Sequence, residues 1–358
     1  MKNIGYLDSL RKTAKYHLLS NLSALKPLKL RLAVTNRCNA RCIMCNVWKS
    51  DQEEVKKTEL SVEEYEKLFK NSRDFLSKIN HISITGGEPT LRSDLTDILK
   101  VINKYFPKAS ININTNAFNT ERIMNFVKEA IALTSQLSVM VSLDGMGEAH
   151  GKIRGIDGVF EKTFKSVQEL IKFRDENKGK LKIRINHILS QFNYKEFEKV
   201  SAFCKENKLE ITPIVMQRGE FFNNDDLDIS LNEEAKNYLI PIFEQLIALD
   251  KQNLLGNIEV LEQLMGMPRD YNCWAGKIML LIEDNGVVYP NGGCPSSQNF
   301  GNIRECDYNL KKLLSSKKAK QVFDFVNKCR SCRLACETLT TLRQPEALSG
   351  YRKLKSYE

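Results

Sequence analysis

Six times between residues 28 and 217 a short, β-branched run gives way to a longer amphipathic stretch, and this alternation limits the fold more than any other feature. The runs are LKLRLAVT (28–35), NHISITGG (80–87), SININTN (110–116), LSVMVSLDG (137–145), LKIRINHIL (181–189) and EITPIVMQ (210–217). Between them lie helical patterns. SVEEYEKLFKNSRDFLSKI opens with Ser61 and Glu64 at capping-box spacing, so each side chain can accept the other residue's backbone N–H. SDLTDILKVINKYF, TERIMNFVKEAIAL, GVFEKTFKSVQELIKF, NYKEFEKVSAFCKEN and SLNEEAKNYLIPIFEQLIALDKQNLL follow. Repeated strand–helix–strand units imply parallel strands joined by right-handed crossovers. Several runs read as nearly continuous apolar segments, the pattern of strands covered on both faces. Six units are too few for a closed eight-fold barrel. The expectation is an α/β chain with a partial, open (β/α)6 TIM-like barrel over residues 28–265.

In parallel α/β folds the chemistry collects at the C-terminal ends of the strands. Here those ends are Thr35–Cys45, Gly86–Thr90, Thr115–Asn116, Ser142–Asp144, Asn186–His187 and Met216–Arg218. After residue 265 the pattern changes: CWAGKIMLLIEDNGVVYPNGGC reads as two short strands turned by EDNG. Cysteines then recur at 294, 306, 329, 332 and 336, which predicts a small, separately organised C-terminal module over 266–358. Residues 1–27 predict an N-terminal amphipathic helix.

That first segment lacks the apolar core and cleavage site of a signal peptide, and no run reaches the roughly 18 apolar residues of a membrane span. The expected location is the cytoplasm, where ten cysteines suit metal or catalytic duty better than disulfides. Charge is uneven. Residues 1–49 carry ten Lys/Arg against Asp8 alone, and residues 304–358 carry thirteen against six acids. Ordinary solvated lysines, compensation of anionic metal–thiolate centres, and an acidic partner each account for this. The first helix could lie on a membrane surface through Ile4, Leu7, Leu10 and Leu18, although a lid over the protein's own core is favoured. Without interleaved aromatics or a known motif, nucleic-acid binding has no strong support.

Within TNRCNARCIMCNVWK, Cys38, Cys42 and Cys45 are spaced C-x3-C-x2-C, an odd number for disulfides and one short of a tetrahedral zinc site. On a cluster of four irons, three thiolates leave one iron open to a bidentate ligand. With GGEPT (86–90) at the next strand end, the chain resembles the radical S-adenosylmethionine enzymes. The resemblance implies that Cys38, Cys42 and Cys45 hold a 4Fe-4S cluster whose open iron chelates S-adenosylmethionine. It implies reductive cleavage to methionine and a 5′-deoxyadenosyl radical, which abstracts hydrogen from an unactivated C–H bond. By the same resemblance Gly86 and Gly87 admit the methionine ammonium, with the charge of Glu88 nearby. Asn116 and Ser142 would contact ribose or methionine, Arg154 the methionine carboxylate, and Asn186 and Met216 the ribose and adenine. Met44 stands where the family often has an aromatic residue, and its thioether can pack on adenine. Asp144, His187, Gln217, Arg218 and Glu220 are expected to face the cavity and orient substrate or take its proton, with Asp144 and Arg218 as catalytic candidates.

The later cysteines resemble the twitch or SPASM extension that carries auxiliary clusters. Cys273, Cys294 and Cys329, with Cys332 or Cys336, would then ligate one auxiliary 4Fe-4S cluster; a zinc ribbon remains an alternative. The fifth thiol would be an inert core group or a hydrogen-atom donor. Cys306 is a further candidate donor, and Cys204 is expected in the core. The resulting expectation is a radical enzyme of oxidoreductase or epimerase type, reduced by a donor such as flavodoxin or ferredoxin. Its substrate would be a small hydroxylated metabolite or carbohydrate. A peptide maturase is the alternative, and a zinc-bearing nucleic-acid-binding protein the remote one.

Overall fold

A computed structural model describes residues 26–333 except 135, 178, 217–221, 223, 225, 251–252, 270–272 and 331. The expected N-terminal helix up to residue 25, together with Gln217, Arg218, Glu220 and Cys336, lies outside the described residues.

The six predicted strands are β1 (Lys29–Thr35), β2 (His81–Gly86), β3 (Ser110–Thr115), β4 (Leu137–Ser142), β5 (Leu181–Leu189) and β6 (Glu210–Val215). They pair in sequence order, all parallel. The connecting segments carry α1 (Gln52–Thr58), α2 (Val62–Asn71), α3 (Leu95–Tyr105), α4 (Thr120–Leu133), α5 (Glu148–Arg154), α6 (Val159–Glu176) and α7 (Phe197–Glu206). Ser61 and Glu64 form the expected capping box on α2, but that helix stops at Asn71 rather than running on to Ile79. The long segment after β6 divides into α8 (Glu233–Leu249) and α9 (Leu254–Leu264).

The strands are not covered by apolar groups on both faces. Leu30, Leu32 and Val34 of β1, with Ile82, Ile84, Ile111 and Ile113, pack under the helices in the main core. The alternate positions, including Lys29, Arg31, Ser83, Asn112 and Asn114, face inward and line a cavity. The sheet is a partial barrel with an apolar outer face and a polar inner one. Hydrophobic burial against the helices, at roughly 25 cal/mol per Å2 of apolar surface, drives its assembly.

Beyond α9 the chain returns to the same sheet. β7 (Met279–Ile282) pairs parallel with β1, Lys29 opposite Met279 and Leu32 opposite Ile282. β8 (Val287–Tyr289) and β9 (Gly301–Asn302) then continue it antiparallel. The predicted EDNG turn joins β7 to β8, with Gly286 at φ 88° where a side chain would be strained. The hairpin therefore extends the barrel sheet rather than standing apart. Phe300 and Ile303, followed by α10 (Leu310–Leu314) and α11 (Lys317–Lys328), share the core of β1. Glu64 clamps this junction: it accepts from Arg304 Nε and from the Tyr308 hydroxyl, each at 2.7 Å. Against the effect of burial, Arg304, the Ser61 N–H and Tyr308 hold its carboxyl down to about 2. Among the described residues, no helix is long and apolar enough to cross a membrane.

Candidate active site

The loop after β1 is fixed by contacts from the residues that follow β2 and β3 and from the end of α5. Gly87 N–H donates to the Thr35 carbonyl at 2.7 Å, and Glu88 N–H to that of Arg37 at 2.8 Å. Arg41 and Ile43 donate to the carbonyls of Arg154 and Ile153, at 2.9 and 3.0 Å. Asn116 Nδ2 donates to Asn39 Oδ1 at 2.7 Å. The glycines of GGEPT make these contacts sterically feasible. A Cβ on Gly86 would lie 2.0 Å from Thr35 O, and one on Gly87 2.2 Å from Arg37 O. Their immediate role is thus to let the second strand end press against the cysteine loop.

The inside of the barrel is a cavity of about 350 Å3, and Cys38, Cys42 and Cys45 line it together. Met44, Gly86, Gly87 and Asn116 reach the same space, as do Ser142, Arg154, Asn186 and Met216. Four other expectations need correction. Glu88 is buried behind the wall, accepting from Thr90 N and Oγ1, Thr115 Oγ1 and Asn116 N, and it braces the strand ends. Burial pushes its carboxyl up despite those donors. Asp144 does not line the cavity: its Oδ2 pairs with Arg154 Nη2 at 2.6 Å, and its Oδ1 accepts from Ile188 N at 2.8 Å. His187 lies fully buried with Nδ1 2.9 Å from the Leu143 carbonyl, where burial holds it below its usual range. Cys306 is a core thiol, its S–H 3.3 Å from the Ile303 carbonyl, away from the cavity. Cys204 is buried on α7, as expected.

Arg154 ends α5, whose turn at Gly155 (φ 67°) lies against the Arg41 carbonyl. Its Nη1 is 3.5 Å from Cys42 Sγ, and its buried Nε has no hydrogen-bond partner. Asn186 Oδ1 is likewise buried without one. Burial pushes the Cys38 thiol up to about 12, opposed by the Ala40 N–H and reinforced by Cys42; Cys45 rises to about 11 for the same main reason. Metal binding here has to displace protons from these thiols. Among the described residues no three Cys, His, Asp or Glu side chains gather as they would round one ion. Three soft thiolate donors spread along one cavity wall, beside a guanidinium and unpartnered polar atoms, suit a cluster that takes one iron per thiol.

Deeper in the same cavity lie Lys29, Arg31, His81 and Arg184, none of which stood out in the sequence. Arg184 donates to Thr212 Oγ1 at 3.1 Å and pairs with Glu210 at 3.2 Å. Their alternation with Leu30, Leu32, Ile183 and Ile185 was the available signal, but the same alternation describes any strand with one face in water.

Residues 32–204 match the profile of the radical SAM superfamily. The barrel belongs to that superfamily. GTP 3′,8-cyclase of Campylobacter jejuni strain RM1221 is 29% identical over 217 residues, covering 60% of this chain and 62% of the relative. Fe-coproporphyrin III synthase of Methanosarcina barkeri is 25% identical over 228 residues, covering 63% and 53%. The chain thus spans about half to three fifths of the length of these curated relatives. Among solved structures, anSMEcpe with bound AdoMet superposes at TM-score 0.61 and 19% identity, covering 85% of this chain and 81% of that one. Streptococcus suis SuiB bound to S-adenosylmethionine gives 0.54 and 18%, covering 80% and 64%. These two likenesses show the fold. Superfamily membership implies a 4Fe-4S cluster and S-adenosylmethionine, and the residues round the radical SAM cavity fit both.

Proposed function

We propose that this radical SAM enzyme acts on a C–H bond of a small anionic molecule held inside the barrel. The carrying observation is one cavity that joins Cys38, Cys42 and Cys45 to Lys29, Arg31 and Arg184. Its volume, about 350 Å3, falls within the range of small-molecule sites. Cys38, Cys42 and Cys45 would hold a 4Fe-4S cluster, which with S-adenosylmethionine would supply 5′-deoxyadenosyl radical chemistry at the upper end. The chain's own residues do the rest. Arg154 offers a guanidinium to the methionine carboxylate, Asn116, Ser142 and Asn186 offer polar contacts, and Met44 and Met216 offer thioethers to the adenine. Lys29, Arg31 and Arg184 offer positive charge to phosphate or carboxylate, with Arg suited to planar, two-point contact.

An anionic substrate fits this interior better than the neutral hydroxylated metabolite expected from sequence. The relative's name, GTP 3′,8-cyclase, supports that direction, since GTP is a nucleoside triphosphate. Cys273, Cys294 and Cys329, with Cys332 or Cys336, remain the proposed ligands of an auxiliary cluster.

The test uses anaerobically reconstituted full-length protein, nucleoside triphosphates and inorganic tripolyphosphate. Arg31→Gln is expected to weaken their binding roughly 10- to 100-fold in calorimetry, the size of a lost charged hydrogen bond. Dithionite-driven formation of 5′-deoxyadenosine without substrate should persist in that variant and vanish in Cys38→Ala. Equal binding by wild type and Arg31→Gln would sink the anionic-substrate reading.

A further inference from the structure

Outside the cavity, a further group of buried charges lies where α9 meets the C-terminal cysteines. Arg333, directly after Cys332, is 6% exposed, and Glu259 and Glu262 of α9 are 2% and 6% exposed. Arg333 Nη1 lies 3.0 Å from Glu259 Oε2 and 2.8 Å from Glu262 Oε2, while Nη2 donates to the Pro268 carbonyl at 2.7 Å. Three residues apart on one helix, the two carboxylates share a face and converge on a single guanidinium. Two more anchors flank Cys273 in sequence: Arg269 Nη2 donates to the Cys329 carbonyl, and Lys277 Nζ to Asn327 Oδ1 at 2.8 Å. The segments bearing Cys273, Cys329 and Cys332 are thereby tied to one side of the molecule. A void of about 30 Å3 separates α9 from β6, and Arg184 and Arg333 both line it.

Charged groups are rarely buried this deeply without partners, and one use of such a pair is to fix a geometry that apolar packing would leave loose. We propose that Arg333 is a positioning residue: docked on Glu259 and Glu262, it holds Cys332 beside it ready to receive the auxiliary cluster. This rests on the reading that the C-terminal cysteines bind such a cluster. The Arg333 bonds described above run to α9 and Pro268, not to Cys38, Cys42 or Cys45. Its loss should therefore affect one cluster and spare the other.

The experiment compares full-length wild type, Arg333→Gln and Arg333→Lys after anaerobic reconstitution with iron and sulfide. Wild type should hold about eight irons, from two cubanes, and Arg333→Gln about four. The remaining iron in Arg333→Gln should give the electron paramagnetic resonance signal that shifts on adding S-adenosylmethionine, with reductive cleavage of the cosubstrate retained. Arg333→Lys, which keeps the charge, should recover part of the second complement. Glu262→Gln leaves Glu259 in place and serves if Arg333→Gln does not fold. Its second cluster should be stripped by a chelator roughly tenfold faster than in wild type, as for other outer-shell losses. Full iron in Arg333→Gln, or wild-type chelation in Glu262→Gln, overturns the positioning role while leaving the cluster reading intact. Only about four irons in wild type overturns the cluster reading, and the positioning role with it.

Discussion

Asp144 and Arg154 form a buried ion pair, with Oδ2 and Nη2 2.6 Å apart and side chains 0% and 9% exposed. Burial works against the guanidinium's charge, and Asp144 together with Cys42 more than restores it. The pair aligns Arg154 between the cysteine loop and the cavity. Removing one partner leaves an uncompensated buried charge. Asp144→Ala is expected to lower unfolding stability in urea by roughly 3–5 kcal/mol. The double variant Asp144→Ala/Arg154→Met should recover most of that loss. A double variant as unstable as the single one would show that charge pairing is not what the site contributes.

The glycine contacts predict position-specific damage. Gly87→Ala would drive a Cβ to 2.2 Å from the Arg37 carbonyl, so the cysteine loop must shift. First-cluster iron should fall to a small fraction of wild type. At Gly158, φ 66° and ψ 12° lie in the left-handed region and an added methyl would meet nothing within 4 Å, so Gly158→Ala should cost only about 1–2 kcal/mol of backbone strain and leave iron content unchanged. Iron analysis of the two variants side by side separates crowding from conformational strain.

Glu283, in the β7–β8 turn, gives a pH prediction. Burial, with the charge of Asp284 adding, pushes its carboxyl from 4.5 up to about 7. The folded state therefore keeps a proton that the unfolded state releases, and stability falls as pH rises through that window. Glu283→Gln removes the penalty. It should be more stable than wild type by about 1–2 kcal/mol at pH 8, after allowance for partial solvent screening. The two proteins should match near pH 4.5. A gain that is the same at both pH values would refute the shift.

Stripping iron with a chelator under reducing conditions should loosen residues 36–50 selectively. Outside its bonds to strand ends, that loop packs only a small cluster around Ala40, Cys42 and Met44, whereas β2 to β5 lie in the main core. Hydrogen exchange in the loop should speed by at least tenfold while the central strands keep their protection. Uniform loss of protection would mean that the cluster supports the whole barrel.

The strands were legible because β-branched runs and helical periodicity alternate without interruption. All six lie within three residues of the expected limits; β5 matches them at Leu181–Leu189, and β4 stops at Ser142, three short. The cysteine triad and GGEPT were legible because spacing and position at strand ends survive in one dimension. The inward face of the barrel was not. Lys29 and Arg31 alternate with Leu30 and Leu32 as they would on a strand washed by solvent, and only closure of the sheet turns that face into an interior. Asp144 failed for a related reason: a strand-end carboxylate looks like a substrate contact until its partner ten residues later, Arg154, is seen to point back at it. The pairing of β7 with β1 joins segments about 250 residues apart, beyond any local pattern.

Because β1 pairs with β2 on one edge and β7 on the other, the strand that launches the cysteine loop also carries the returning hairpin. Asp284 in that hairpin accepts Asn36 N–H and Nδ2 at 2.9 and 3.0 Å, two residues before Cys38. The C-terminal portion is consequently not an exchangeable cassette. A graft from another barrel would have to bring its own acceptor for Asn36, or the loop at the other edge would lose one of its struts.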